Sequence, residues 1–455
     1  MFPSTYIFSN EEMFINRPLI SRLRRNNFQC RMNIGEMFVS PNLEMQHIED
    51  TSFTFGWVVK ALNETDHHWI NISSGRKVKN ILANNIANGK GFSSYIYKLT
   101  LEFNYGKPYY VVLKVPTMEV FLKEFEAKNF DANFANDSIE DAMALPHLRE
   151  CDFYRNYNAQ KEIPLPAIYA TQDIIPGKQK GAILMQYLGD VACNVPTHES
   201  FTLKQLLNAA RCFARLHAYS LTLPASAFEN LSVMPSLLNT WVNLFKSIAP
   251  MTVAGDSRLK SDYNKLKHLH ETTHFVEYIC YNMNKNLKMK TVLVHGDAWN
   301  NNMFMERNPD GSPGSKIVAF IDWQTVHGGN IGEDLARVMS MSSADIRREA
   351  EKVALDVYYD TFVDELKRRN LENPHTKAQV IKAYRQAYVH QALLLLVGAK
   401  VLQGQGDNLS PYERGIWEAR HESWLLRCRL ALNDAVKIVE EDEPEWLNPN
   451  YEFPK

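Results

Sequence analysis

Three polar side chains in the second half of the chain are of types that can carry out phosphoryl transfer. Asp297 and Asn302 belong to the run 292–304, and Asp322 belongs to the run 317–324. Each run begins as an apolar, strand-like stretch and then turns polar. Transfer of a γ-phosphoryl group needs cations that neutralise the phosphates and a carboxylate that accepts or orients the proton of the incoming hydroxyl. We therefore interpret Asp297 as the catalytic carboxylate, and Asn302 and Asp322 as magnesium ligands.

The spacing of these residues matches the catalytic segment of kinases. Asn302 follows Asp297 by five positions, and Asp322 closes the next strand, where kinases place a metal-binding Asp. The segment with Asp297 and Asn302 and the segment with Asp322 occur in the order found in kinases. Together they indicate a kinase more strongly than the HGD triplet alone. We expect His295 of that triplet to support the loop through backbone hydrogen bonds, and His217 to be a satisfied core histidine.

A lysine lies inside an otherwise apolar strand. Lys114 occupies the run VVLKV, where a buried ammonium is costly unless it meets an anion or a carboxylate. The phosphate-contacting lysine of kinases occupies such a strand. We predict that Lys114 contacts the nucleotide and pairs with Glu150 of a nearby helix, with Glu124 and Glu126 as alternatives.

Two further segments are candidates for nucleotide binding. The glycine-bearing loop 88–97 precedes the strand of Lys114, although it is not a full G-x-G-x-x-G motif. Its contacting positions would be Gly89, Gly91, Ser93 and Ser94. Gln186 and Leu188 follow a later strand, at the point where the chain of a kinase crosses between lobes and its backbone meets the adenine.

The composition excludes several classes of protein. The net charge of −2 and the pI near 6.7 provide no basic field, so we do not expect a nucleic-acid partner. The most apolar late segment, 392–402, is too short to span a bilayer and reads as a buried helix, so we expect no membrane partner. The six cysteines form no C-x-x-C pair, which argues against a zinc site or a disulfide framework. An Arg-rich N-terminal stretch lacks an apolar core, so we expect no targeting peptide and a cytoplasmic protein.

The order of strand-like and helix-like segments predicts an α+β fold. Strand patterns cover 94–103, 109–116 and 181–190, whereas amphipathic helices are predicted at 343–370, 376–404 and 411–440. We predict an N-terminal extension at residues 1–50. A small antiparallel-sheet N-lobe that binds the nucleotide would follow at 51–190, and a large helical C-lobe at 191–455 would carry the catalytic and acceptor-binding groups.

Five motifs together resemble a known family of small-molecule kinases. They are GKGFSSYIY, VVLKVP, REC-x-FY, LVHGDAWNNNMF and AFIDWQ, the last followed by GEDLARVM. The chain resembles the CHK kinase-like branch, ecdysteroid-kinase-like and expanded in nematodes, of the choline kinase and aminoglycoside phosphotransferase superfamily, over roughly residues 55 to 435. The resemblance implies a two-lobed protein-kinase-like fold, ATP and Mg²⁺ as cofactors, and a small-molecule hydroxyl as the acceptor. It matches Lys114 and Glu150 to the nucleotide-lobe ion pair.

The acceptor itself stays open at this point. The stretch WQTVHGGNIGEDLAR after Asp322 departs from choline kinases, so a steroid-like compound, a glycoside and an amino alcohol are all retained. Protein substrates are less expected because Asp322 is followed by Trp-Gln rather than Phe-Gly. The alternatives are a catalytically inactive kinase-fold scaffold that binds nucleotide, and a module that buries an apolar ligand without chemistry. We expect a monomer or a homodimer.

Overall fold

The computed structural model describes residues 41–86, 94–117, 139–157, 162–403 and 409–455, and the statements below concern these residues. Residues 39–455 form one compact unit. Leu43 and Ile48, which lie within the predicted N-terminal extension, are buried against the first long helix.

A five-stranded antiparallel sheet makes up the first part of this unit. Its strands are β1 Val78–Asn85, β2 Ser94–Phe103, β3 Tyr109–Pro116, β4 Ile168–Gln172 and β5 Ala182–Gln186, in the order β1-β2-β3-β5-β4. This order places β3 between β2 and β5, and Lys114 pairs with Ile96 on one side and Ile183 on the other. Lys114 therefore lies near the centre of the sheet.

Helices cover both faces of the sheet. The helices α1 Pro41–Glu44, α2 Phe55–Thr65 and α3 His67–Ser73 share a core with Val111 and Leu113 of β3. Helix α4, Ile139–Tyr157, shares a second core with Val112. Because side chains alternate between the faces of a strand, Lys114 points to the same face as Val112, which is the face that α4 covers.

The second part of the unit is mainly helical. Its longer helices are α5 Leu203–Ser220, α6 Pro235–Gly255, α10 Gly332–Ser340, α11 Ala344–Arg368, α12 Lys377–Gln403 and α13 Pro411–Asp442. Short helices α7 Lys260–Leu266, α8 Thr273–Glu277 and α9 Met283–Leu287 lie between them, and a π-helical segment occupies Tyr278–Asn282. Single 3₁₀ turns occur at Ala225–Leu231, Ser257–Leu259, Lys267–His270, Asn300–Asn302, Trp323–Thr325 and Pro444–Leu447.

Two small antiparallel sheets lie within this helical part. One contains β6 Ala192–Cys193, β8 Met303–Arg307 and β9 Pro313–Phe320, and the other pairs β7 Val292–Val294 with β10 His327–Gly329. Asp297 and Asn302 lie between β7 and β8, and Asp322 directly follows β9. The strands thus bring the two polar runs of the sequence next to each other.

The predicted fold class is confirmed, because an antiparallel sheet comes first and a helical region follows. The strands 94–103 and 109–116 and the three late helices are present within two residues of their predicted ends. The strand predicted at 181–190 ends earlier, at Gln186, where the chain turns. The strand-like stretch at the start of the run 317–324 begins earlier, at Pro313, because β9 pairs with β8 as far as Arg307 and Pro313. The predicted boundaries between extension and lobes stay predictions.

The apolar segment 392–402 belongs to α12, and Leu393, Leu395 and Leu396 within it are buried, as predicted. Among the described residues, none of the helices has an apolar stretch long enough to cross a membrane.

Candidate active site

The Lys114 cluster consists of Lys114, Glu150 and Asp322, contributed by three different elements. The Nζ atom of Lys114 lies 2.6 Å from Oε2 of Glu150 on α4 and 2.6 Å from Oδ1 of Asp322 after β9. The predicted pairing of Lys114 with Glu150 is therefore present. The alternative partners Glu124 and Glu126 lie outside the described residues. One ammonium thus ties the sheet, α4 and the end of β9 together.

Burial and charge act in opposite directions on the Lys114 cluster. Burial disfavours the ammonium of Lys114, but the carboxylates of Asp322 and Glu150 outweigh it and hold the pKa of Lys114 above its ordinary value. Burial raises the pKa of Glu150 against the opposing pull of Lys114. When all three groups are ionised, two carboxylates face one ammonium. The cluster then carries excess negative charge, which favours a cation.

The backbone at Asp322 is in a sparsely populated conformation. Its φ of 66° and ψ of 60° lie in the left-handed region, which is uncommon for a residue other than glycine. The next residue, Trp323, is fully buried and stacks on Phe153 of α4 with ring centroids 3.8 Å apart. This stacking fixes the turn that directs the Asp322 carboxylate toward Lys114. Strain of this kind is typical of functional positions.

The Asp297 loop, residues 295–302, holds its carboxylate between two donors. Nη2 of Arg337 lies 2.9 Å from Oδ1 of Asp297. Nδ2 of Asn302 donates to Oδ2 at 3.2 Å and to the backbone oxygen of Asp297 at 2.9 Å. Gly296 has a φ of +82°, and a Cβ there would lie 2.7 Å from the backbone oxygen of Thr325. The carboxylate of Asp297 is therefore oriented from two sides, on a turn that requires glycine.

A buried carboxylate beneath the loop organises its backbone. Asp334 of α10 accepts hydrogen bonds from the backbone N–H groups of His295 at 2.9 Å and Gly296 at 3.0 Å. Burial alone would raise the pKa of Asp334, but the interactions of its carboxylate with neighbouring groups, His217 first, lower it below the ordinary value. Asp334 thus stays ionised, and its charge holds the loop in place.

The two histidines near the loop have the structural roles that the sequence predicts. Nε2 of His295 lies 2.9 Å from the backbone oxygen of Ile321, and Nδ1 accepts from the backbone N–H of Asp297 at 3.2 Å. His217 is fully buried, and its Nδ1 lies 2.7 Å from the hydroxyl of Tyr358. His295 supports the loop, and His217 belongs to the core.

Asn302 links the Asp297 loop to the Lys114 cluster. Its backbone oxygen accepts a hydrogen bond from the backbone N–H of Ile321 at 3.0 Å, and Ile321 immediately precedes Asp322. The five residues predicted to act on the phosphates, the metal and the acceptor therefore form two neighbouring groups joined through backbone. These residues are Lys114, Glu150, Asp297, Asn302 and Asp322.

Six further residues were predicted to bind the nucleotide, and the structure describes three of them, Ser94, Gln186 and Leu188. Gly89, Gly91 and Ser93 lie outside the described residues, whereas Ser94 is buried at the start of β2. The backbone N–H of Gln186 donates to the oxygen of Ala167 at 2.8 Å, and its side-chain oxygen accepts from the Ala167 N–H at 3.2 Å. Leu188 is buried in a small cluster with Ala192 and Ala319. Their contacts with a nucleotide stay a prediction.

A cavity borders the carboxylate of Asp297. The volume of this cavity is about 50 Å³. Its lining includes apolar side chains of α6, namely Leu237, Leu238 and Trp241, and the charged side chains of Asp297, Glu333 and Arg337. The residues that line it are Leu237, Leu238, Trp241, Val276, Cys280, Tyr281, Gly296, Asp297, Thr325, His327, Glu333, Arg337, His390, Gln391 and Leu394.

Sequence reasoning missed two residues of the site, Arg337 and Asp334. Both lie on α10, three positions apart, and both contact the Asp297 loop. Residues three apart share a helix face, so the charged pair in GEDLARVM was the available signal. That signal shows that the two side chains point the same way, but it does not show which loop they meet.

The chain matches a family model over most of its length. The model is described as DUF1679, uncharacterized oxidoreductase dhs-27, and it matches residues 51–422. The Caenorhabditis elegans protein named uncharacterized oxidoreductase dhs-27 is 25% identical over 401 residues, which are 84% of this chain and 47% of that protein. The chain thus spans about half the length of this relative.

Other similar proteins carry kinase or phosphotransferase names. The uncharacterized kinase-like protein D1044.1 of C. elegans is 24% identical over 325 residues, which cover 68% of this chain and 80% of that protein. A putative aminoglycoside phosphotransferase from Ralstonia eutropha superposes with a TM-score of 0.42 at 13% identity, covering 83% of this chain and 98% of that chain. A glucosamine kinase gives a TM-score of 0.38 at 12% identity, covering 84% and 81%. The match over residues 51–422 shows that the chain belongs to the DUF1679 family.

Proposed function

We propose that the protein is an ATP- and Mg²⁺-dependent phosphotransferase that moves a γ-phosphoryl group to a hydroxyl of a small molecule. One observation carries this proposal. A buried lysine is bridged by two carboxylates directly beside a loop that presents an oriented carboxylate to a cavity. Phosphoryl transfer needs these two features next to each other, one for the phosphates and one for the acceptor.

Lys114 would contact the phosphates of ATP in this proposal. Glu150, buried on α4, holds the ammonium in place from the side opposite the sheet. Gly89, Gly91, Ser93 and Ser94 would bring backbone and hydroxyl donors to the phosphates, and Gln186 and Leu188 would border the adenine. The region 51–190 would then be the nucleotide-binding lobe, and the region 191–455 would bind the acceptor.

The donor set fits magnesium. Mg²⁺ prefers oxygen ligands, usually one or two carboxylates together with phosphate oxygens. The side-chain hydrogen bonds of Asn302 to Asp297 use Nδ2, so the amide oxygen is the atom that Asn302 would offer to the cation. Asp322 would offer its carboxylate, which is 22% exposed and therefore reachable. When bound, the ion would neutralise the phosphate charge that the excess negative charge of the Lys114 cluster repels.

Asp297 would act on the acceptor hydroxyl. Arg337 and Asn302 already hold its carboxylate, so little reorganisation is needed when the acceptor arrives. The hydroxyl oxygen attacks the γ-phosphorus while its proton passes to the Asp297 carboxylate. The bond between the γ-phosphorus and the oxygen that bridges it to the β-phosphate breaks, and ADP leaves with that oxygen.

The cavity supports an amphipathic acceptor. Its lining combines apolar side chains of α6 with polar and charged side chains of the Asp297 loop and α10. A compound with an apolar body and a hydroxyl, such as a steroid-like alcohol or a glycoside, matches both kinds of side chain. The ammonium group of an amino alcohol would pair with the carboxylates of Asp297 and Glu333, which line the cavity. Since the cavity volume is only about 50 Å³, an acceptor of this size must widen the cavity when it binds.

Two alternatives are distinguished from this proposal by particular observations. An inactive scaffold would not need the arrangement of Arg337 and Asn302 around Asp297. The oxidoreductase activity in the name of one relative does not fit the described strands, because every strand pair among them is antiparallel, whereas a dinucleotide-binding Rossmann sheet is mostly parallel.

Five cysteines of the described residues are free thiols, which suits the proposed cytoplasmic location: Cys151, Cys193, Cys212, Cys280 and Cys428.

The test is magnesium-dependent release of ADP from ATP in the presence of sterols, glycosides, amino alcohols and aminoglycosides. Turnover with one class that requires magnesium and disappears in Asp297→Asn would support the proposal and name the acceptor chemistry. The matched control is Asp310→Asn, which alters an exposed turn. ATP binding without turnover on any class would favour the scaffold.

A further inference from the structure

A second group of ligand-type side chains lies on the wall of the same cavity. Cys280 belongs to the π-helical segment Tyr278–Asn282, His327 begins β10, and Glu333 lies in the first turn of α10. One potential ligand atom from each lies within 4.8 Å of the other two. From this geometry we infer that Cys280, His327 and Glu333 form a binding site for a transition-metal ion of the zinc type, separate from the proposed magnesium ligands.

The orientation of His327 supports this inference. Its Nδ1 lies 2.9 Å from the backbone oxygen of Thr325, which can only accept, so Nδ1 must carry a proton. Its Nε2 lies 3.1 Å from Oε2 of Glu333. In the neutral ring that nitrogen offers a lone pair to a carboxylate, and this contact is favourable only when a cation or a second proton lies between them. Histidine ligands of metals commonly donate their other N–H to a backbone carbonyl.

The backbone leaves room where the ligand atoms meet. A Cβ at Gly329 would lie 2.5 Å from Oε1 of Glu333 and 2.7 Å from Nε2 of His327. Gly329 is not among the described glycines with positive φ, so backbone conformation does not require a glycine there. The requirement is one of space beside the two ligand atoms. Glu333 is held in position because its Oε1 accepts the backbone N–H of Asn330 at 2.7 Å.

The donor set is one that zinc uses. Thiolate, imidazole and carboxylate are its usual protein ligands, and three protein ligands leave a fourth position for water or another ligand. Burial, reinforced by Glu333, raises the pKa of the Cys280 thiol, so the metal must displace its proton on binding. All three side chains line the cavity that Asp297 also borders. A polar group of the acceptor would take the fourth position, and this role alone rests on the proposed function.

The test measures metal retention in the absence of ATP and acceptor. The protein of 455 residues is stripped with a chelator, loaded with Zn²⁺ or Co²⁺ while Mg²⁺ is in excess, desalted and assayed for bound metal. We expect one ion per chain. The cobalt form should show a thiolate-to-cobalt charge-transfer band in the near ultraviolet and the strong visible bands of four-coordination.

Variants identify the ligands. Cys280→Ser should abolish the thiolate band, and His327→Ala should abolish retention. Cys212→Ala, which changes a cysteine outside the group, and Asp322→Asn, which changes the proposed magnesium ligand, should each retain the ion. Gly329→Ala keeps all three ligands but fills the space between them, so it should also lose the ion, and circular dichroism verifies that each variant is folded.

The inference is overturned if the folded wild-type protein retains no ion, or if an ion is retained without a thiolate band that depends on Cys280. A second proton on His327 would then account for its contact with Glu333. Since no ATP is present, a negative result here leaves the phosphotransferase proposal intact, and a failed activity screen leaves the metal measurement intact.

Discussion

The Lys114 cluster and the Asp297 loop hold their charged groups by different means. The cluster joins side chains 36 and 208 positions apart through ion pairs, and its two carboxylates outnumber its ammonium. In the loop, Asp297 is oriented by a residue five positions away and by Arg337, while Asp334 fixes the backbone beneath it. The cluster is therefore left with excess negative charge, whereas the carboxylate of Asp297 in the loop is already held by donors of the protein itself.

The largest effect should follow from changing the loop's carboxylate. Asp297→Asn should lower kcat by roughly 10²–10⁴-fold with a small change in KM for ATP, because a positioned general base contributes about that factor. Steady-state kinetics with the best acceptor measures this. An unchanged kcat would show that Asp297 does not act on the acceptor, and the Asp297 loop would then have no catalytic role to compare with the Lys114 cluster.

Removing the ammonium of the cluster should cost stability as well as nucleotide binding. Lys114→Met leaves Glu150 and Asp322 facing each other, and loss of one partner of a buried ion pair costs about 3–5 kcal/mol of unfolding free energy. Denaturant unfolding measures this. Adding Glu150→Gln to the same variant should restore part of the loss. Lys79→Met, at an exposed position of β1, is the control, and an equal loss of unfolding free energy there would refute the explanation.

The loop should depend on the charge beneath it. Asp334→Asn weakens the acceptance of two buried N–H groups, which we expect to cost about 1–3 kcal/mol of unfolding free energy. The pKa of Asp334 is lowered in the folded state, so its stabilisation is complete above the ordinary Asp pKa and is lost as the pH falls through the folded value. The difference in unfolding free energy between the variant and the wild type, measured by denaturation, should therefore be constant near neutral pH. Asp364→Asn, on an exposed helix face, should show no such difference.

A smaller, pH-dependent effect should arise at the cavity wall. Burial, and then the charge of Arg337, lowers the pKa of His390 to about 3, against an unfolded value of 6.5. Stability from the neutral ring is complete above pH 6.5 and is lost as the pH falls toward the folded value. At pH 5 the loss is on the order of 1–2 kcal/mol. His390→Gln should flatten the stability profile between pH 6.5 and pH 5, whereas His274→Gln, at an exposed position, should not.

Local patterns predicted the elements well. The two-residue alternation in SYIYKLTLEF identifies β2, because burial of one face acts on every second side chain. The run YYVVLKVP identifies β3 by its continuous apolar character, and five consecutive residues of this strand are buried. The pairing of Lys114 with Glu150 also followed from the sequence, since a buried ammonium demands a carboxylate and a helix of suitable pattern came next. Contacts of Asp297 with Arg337 and of the loop with Asp334 did not follow, because nothing local to α10 indicates which loop it meets.

The cysteines show the same limit. Their scattered spacing argued against zinc, since sequence motifs reveal only ligands that are close along the chain. Cys280, His327 and Glu333 come together only because β10 pairs with β7 and α10 follows at once, while the π-helical segment packs beside them.

The sequence by itself therefore determined that the sheet precedes the helices and that Lys114 needs an anion. It also determined that Asp297, Asn302 and Asp322 lie where apolar, strand-like runs become polar. These follow from short-range periodicity and from the cost of burying charge. Only the tertiary structure decided that Asp322 shares Lys114 with Glu150, that Arg337 orients Asp297, and that Cys280, His327 and Glu333 come together at the cavity that Asp297 borders. These depend on chain segments brought together by packing, and packing is a property of the whole fold.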